Sequence, residues 1–240
     1  MSFTIKDMTI RDEYNRQRIF KGVNICFKGR ENQHEIYEFF DKFENDKSFR
    51  DEQYDMLTSN GVNLIRLGFT WAMLEPKKNQ FDKKIISYLK LFVDECQKRN
   101  IYIVLDLHQD LFYSNGKHGD GAPKWITRDY KEKQPLAIWA EGYFYMQDVQ
   151  RAFNDFWRNK NGMQDEFISM WKRLDDEFKG YDNVVAHDYF NEPMINDNSN
   201  KIFYSVISET QASSNSSIIN MNDNPIVMDK KWFDYKYAKK

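Results

Sequence analysis

The 240-residue chain has only two cysteines, Cys26 and Cys96, and no CxxC pair. This excludes a disulfide framework and a thiolate metal site; two buried free thiols are the expectation. No apolar run reaches 18 residues and mean hydropathy is −0.80, so no membrane span is expected. A long basic run is also missing, and the net charge of −2 gives no electrostatic case for nucleic acid. Met1 to Arg18 is too charged for a signal peptide, which favours a cytoplasmic location if this N-terminus is authentic.

What is abundant is aromatic: six Trp, fourteen Tyr and nineteen Phe. Such residues line carbohydrate and lipid clefts, but they also fill large cores, and the core is the default reading. Strand and helix patterns alternate. Ile19 to Phe27, Val62 to Phe69, Ile101 to Leu107 and Val184 to Phe190 read as strands, the third an almost unbroken apolar run suited to a covered parallel strand. Helices are expected at Phe49 to Ser59, stopped by Asn60-Gly61, and after Asp82, where Ile85, Ile86, Leu89, Phe92, Val93 and Cys96 recur at helical spacing. Two more are expected near Asp148–Arg158 and Gln164–Lys179.

This βα alternation implies an α/β fold with a parallel sheet, either doubly wound or closed as a (β/α)8 TIM barrel. A dinucleotide fold would carry a Gly-rich phosphate loop after its first strand, and none is present. Arg66, His108 with Asp110, and Asn191 with Glu192 fall toward C-terminal strand ends, where barrel enzymes assemble their sites. The barrel is the better choice. A full barrel typically needs ~250 residues, and four βα units here occupy most of the chain, so about half a barrel is expected. Residues 1–195 would form that half, and 196–240 a divergent or poorly ordered tail, with Ile202 to Ile207 as a further helix and Ser217 to Asn220 as the stub of a fifth strand.

Glycosidic hydrolysis requires one carboxyl group to protonate the leaving oxygen and a second to attack or to activate water. Glu192, at a strand end beside Asn191 and Pro193, fits the first role. Asn191-Glu192-Pro193 resembles the acid/base motif of glycoside hydrolase family 5. Leu105-Asp106-Leu107-His108-Gln109-Asp110, Gly119 to Trp125 and Gln150 to Trp157 follow the endoglycoceramidase pattern in order. So do Arg18 to Asn24 and Asn63 to Arg66, with Trp71 and Glu75-Pro76 after them; coverage runs over about residues 14–195.

The resemblance implies a retaining enzyme, without metal or organic cofactor, that hydrolyses β-glycosidic bonds of glycolipids such as glycosylceramides or steryl glucosides. Glu192 would be the acid/base and Asn191 its sugar-binding neighbour. His108 and Asp110 would line the adjacent subsite, Arg66 would organise hydrogen bonds beneath the nucleophile, and Lys28 and Trp125 would contact substrate. The family nucleophile, a second Glu ending the seventh strand, has no match here, so the chain alone is expected to be inactive. Its partner would be a glycolipid or other β-glycoside, with contact at a membrane surface. Family members are often secreted, and nothing in the chain sets an oligomeric state.

Blander readings compete. Glu192 could occupy the first turn of a helix, with Pro193 favoured there for its fixed φ. His108, Asp110, His118 and Asp120 have HxD spacing and could hold a metal in a metal-dependent hydrolase. Trp125, Trp139, Tyr143 and Tyr145 could simply pack loops, His187 could be a hydrogen-bonded structural residue, and His34 is expected to be solvated. A non-catalytic glycolipid-binding remnant is the remaining alternative. Arg66 is constrained under every reading: a buried Arg needs an acidic or carbonyl partner.

Overall fold

The structure, a computed structural model, describes residues 3–7, 9–28, 34–114, 119–131, 138–196, 219–221 and 226–228. A hairpin of β1 (Phe3–Lys6) and β2 (Thr9–Asp12) opens the chain. Then come β3 (Gly22–Phe27), α1 (His34–Asn45), α2 (Lys47–Ser59), β4 (Leu64–Thr70), α3 (Trp71–Leu74) and α4 (Lys83–Lys98). The long excursion after β5 (Tyr102–His108) carries α5 (Lys124–Thr127) and α6 (Gly142–Tyr145) before α7 (Gln147–Trp157) and α8 (Met163–Phe178). The described residues end in β6 (Val184–Asp188), β7 (Met194–Asn196), β8 (Ile219–Met221) and β9 (Ile226–Met228).

The main sheet runs β3-β4-β5-β6-β8, every pair parallel. This order decides between the two sheet types. A doubly wound sheet reverses strand order at a switch point, whereas a barrel adds each strand beside the last. Here the order never reverses, and the described strands form an incomplete (β/α)8 barrel. The fifth strand occurs as Ile219–Met221, beside β6; Ile202 to Ile207 lie outside the described residues.

Alternation along the strands sorts the two faces. Ile65, Leu67, Phe69, Ile103, Leu105 and Leu107 are buried, and helices cover that side: Phe27 meets Phe39, Phe40 and Phe92 of α1 and α4. The opposite face carries the polar residues, and the register sets Cys26, Gly68, Asp106 and Asp188 level across four strands. Gly68 is required by space rather than by backbone angle. A Cβ there would lie 2.6 Å from Cys26 Sγ and 2.8 Å from Asp106 Oδ2.

Asp82 caps α4, accepting from the Lys84 and Ile85 amides, and Asn60 caps α2, with Gly61 at φ 71°. Helix α1 and the first hairpin were not anticipated. In α1 the apolar stripe of Ile36, Phe39, Phe40 and Phe43 is interrupted by charges, yet Phe40 and Phe43 are fully buried. His34, at its start, is exposed. Cys96 is buried as expected, but Cys26 is only half-buried because it sits on the polar face. Among the described residues no helix is long and apolar enough to cross a membrane.

Candidate active site

Arg66 lies mid-strand in β4, level with Val104, not at the strand's C-terminal end. Its side chain reaches the end instead. Nε and Nη2 donate to Asp188 Oδ2 at 2.9 and 2.6 Å, Nη2 lies 3.1 Å from Asp106 Oδ1, and Nη2 donates to Asn191 Oδ1 at 2.8 Å. Two buried aspartates supply the compensation this half-buried guanidinium needs. Asp106 also holds His108, with Oδ2 2.9 Å from Nδ1. Burial opposes charge on His108, but hydrogen bonds to Asp106 and Cys26 outweigh it and raise the imidazole to about 10. The Arg66 guanidinium and the His108 imidazole thus both contact Asp106.

The chain of contacts continues outward. His108 Nε2 lies 3.8 Å from Asp110 Oδ2, and Asp110 pairs directly with Lys28. Lys28 also lies 3.9 Å from Asp120. Burial disfavours the Lys28 ammonium, yet the hydrogen bond it donates to Asp110 and the charge of Asp120 raise it above the usual lysine range. Asp110 and Asp120 exchange backbone hydrogen bonds, which hold the two residues side by side. Among the described residues no three His, Cys, Asp or Glu side chains are grouped to hold a metal; His118 lies outside them.

Asn191 and Glu192 follow β6 after Tyr189 and Phe190. Asn191 N–H donates to the Leu107 carbonyl at 3.1 Å, and its Nδ2 donates to the Gln109 carbonyl at 3.0 Å. Glu192 is exposed and has φ 41°, left-handed backbone that L-residues adopt only when their surroundings hold them there. It does not start a helix. Pro193 leads into β7, which pairs with β9, and this removes the helical first-turn reading.

These residues thus gather Lys28, Arg66, His108, Asp110, Asn191 and Glu192 at one end of a half barrel. The sequence matches the cellulase family, glycosyl hydrolase family 5, over residues 29–236. The chain belongs to that family. It is 28% identical over 205 residues to an endoglycoceramidase of Hydra vulgaris, covering 76% of this chain and 38% of that protein. An endoglycoceramidase of Cyanea nozakii is 26% identical, covering 78% and 40%. Among solved structures, endoglycoceramidase II from Rhodococcus sp. superposes with a TM-score of 0.69 at 22% identity, covering 88% of this chain and 50% of that one. The chain therefore spans about two-fifths of the length of these curated relatives.

Trp125 lies on α5. Its indole N–H donates to the Glu75 carbonyl at 2.9 Å and its ring packs edge-on against Trp71. Glu75 is buried, accepting from Trp71 Nε1, the Asn79 amide and Arg173. Trp71 in turn lines, with His108, Gln109, Phe112 and Phe190, a cavity of about 10 Å³, the space of one water molecule. Trp139 and Tyr145 are exposed, whereas Tyr143 is buried. His187 is fully buried, packs on Trp171 and lies 3.3 Å from Asp175; among the described residues neither ring nitrogen makes a hydrogen bond. It is structural, but not through the hydrogen bond expected.

Sequence reasoning missed Asp106, Asp188 and Gln109 as parts of the site. A carboxylate within the apolar strands Ile101–Leu107 and Val184–Asp188 was the available signal, since an acid there must be paired.

Proposed function

We propose that this chain carries the acid/base half of a retaining β-glycosidase that acts on glycolipids. Glu192 protonates the glycosidic oxygen as a second carboxylate attacks the anomeric carbon, then deprotonates the water that releases the sugar. One amide N–H of Asn191 is committed to Gln109; we assign the other to the sugar 2-hydroxyl, a contact that strengthens in the transition state. Lys28, His108 and Asp110 form the polar wall of the adjacent subsite. The observation that carries this reading is the Arg66–Asn191 hydrogen bond of 2.8 Å, which fixes the residue beside a carboxyl at the barrel's catalytic face.

The lipid substrate draws support from the relatives' names, which describe glycoceramide and, for a Cryptococcus neoformans structure of TM-score 0.63, sterylglucoside hydrolysis. A polypeptide of these 240 residues presents one matched carboxyl group, and we expect no turnover from it alone. The test is to give the full natural protein a glycosylceramide, a steryl glucoside and a cello-oligosaccharide, following anomeric configuration by NMR. Release of β-sugar from a lipid supports the reading. Initial release of α-sugar, hydrolysis of the cello-oligosaccharide alone, or lipid binding without turnover contradicts it.

A further inference from the structure

Gln109 is 2% exposed and its side-chain amide is fully engaged. Nε2 donates to the carbonyls of Asn191 at 2.6 Å and Glu192 at 3.1 Å, while Oε1 accepts the Phe112 amide at 2.7 Å. This fixes the amide's orientation, because only its NH2 end can serve two carbonyls. Those carbonyls belong to the two peptide planes that flank the Glu192 Cα. Pinning both planes fixes φ and ψ of Glu192 together, and hence the direction of its Cα–Cβ bond. Pro193 has no N–H, so the carbonyl is the one backbone polar handle on the second plane.

The surroundings share this tension. Leu111 and Phe112 also have positive φ, 60° and 69°. The Phe112 amide is held by Gln109, and the Leu111 amide donates to Tyr143 Oη at 3.1 Å. Tyr143 Oη is itself 3.2 Å from Gln109 Nε2. Three left-handed non-glycine residues thus converge on one buried Gln–Tyr pair, a clustering of the kind that active sites show. Gly121 leaves the room for it, since a Cβ there would lie 2.6 Å from Gln109 Cβ.

We infer that Gln109 is the positioning residue that holds Glu192 in its left-handed conformation and so aims its carboxyl at the glycosidic oxygen, with Tyr143 bracing it. The inference rests on the acid/base role proposed for Glu192. Gln109→Met keeps length and removes both donors. In the full natural protein, kcat/KM of this variant on a lipid glycoside, whose leaving group needs protonation, falls ~100-fold or more. Its kcat/KM on a dinitrophenyl glycoside, which reports glycosylation alone and whose leaving group needs no proton, stays within roughly threefold of wild type. A purely structural role lowers both alike and overturns the inference. If Glu192→Gln shows the leaving-group selectivity and Gln109→Met does not, Gln109 is not the positioning residue. If Glu192→Gln itself shows none, the acid/base reading fails and takes this inference with it.

A second measurement requires no turnover. In the full natural protein, Gln109→Met speeds hydrogen exchange at the Asn191 and Glu192 amides by ~10-fold or more, leaving Leu67 and Leu105 unchanged. Uniform change across β4, β5 and Asn191, or none anywhere, contradicts the clamp.

Discussion

Arg66 donates to Asn191 Oδ1 at 2.8 Å although 125 residues separate them. The same guanidinium is bound by Asp188 and Asp106, so one side chain ties three parallel strands to the residue beside the proposed acid. Removing the cation takes from buried Asp106 and Asp188 the partner they share. Arg66→Met is expected to cost about 3 kcal/mol of stability in urea unfolding. Adding Asp188→Asn should return at least ~1 kcal/mol of that loss. A double variant no more stable than Arg66→Met would show that the pairing is not what holds these strands.

His108 is expected to remain an imidazolium through neutral pH, since its hydrogen bonds to Asp106 and Cys26 outweigh burial and raise it to about 10. A raised folded value means that the stabilisation is complete below the ordinary 6.5 and is lost as pH climbs toward 10. Imidazole NMR should place the midpoint well above 8, and Asp106→Asn should pull it down. The fall in stability across pH 7 to 10 should be shallower in His108→Gln than in wild type. A His108 midpoint near 6.5 would contradict the Asp106 pairing.

The titrations of His187 and Asp175 should oppose each other, so that the pair together adds little acid dependence to stability. Burial lowers His187 to about 4, so it loses stability as pH falls from 6.5 to 4. Burial and the charge of Asp176 raise Asp175 to about 6, so it gains stability as pH falls from 6 toward 3.8. The two trends oppose. Asp175→Asn removes the gain, and stability should then drop by about 3 kcal/mol between pH 6.5 and 4 relative to wild type. Parallel pH profiles would refute this.

Much of this architecture was legible before the structure. Buried parallel strands read as apolar runs, so Ile101 to Leu107 and Val184 to Phe190 stood out, the latter ending two residues sooner, at Asp188, in the structure, and Asp82 marked its helix through local chemistry. Arg66's need for acidic partners was also legible. Their identity was not, because it depends on register: Arg66 is level with Val104, and Asp106 and Asp188 stand one row above. Helix α1 was hidden by charges between its phenylalanines. Gln109 and Tyr143 meet only when the excursion between them folds back across 34 residues, and the left-handed backbone of Glu192 leaves no local trace, since glutamate is not a residue that favours it.

The central claim is that Glu192 is the acid/base. The most direct measurement is the leaving-group dependence of Glu192→Gln in the full natural protein, with sodium azide as an added nucleophile. The account predicts at least ~100-fold loss on a lipid glycoside, near-normal glycosylation by a dinitrophenyl glycoside, and a β-glycosyl azide product. Equal losses on both substrates, with no azide adduct, would contradict it.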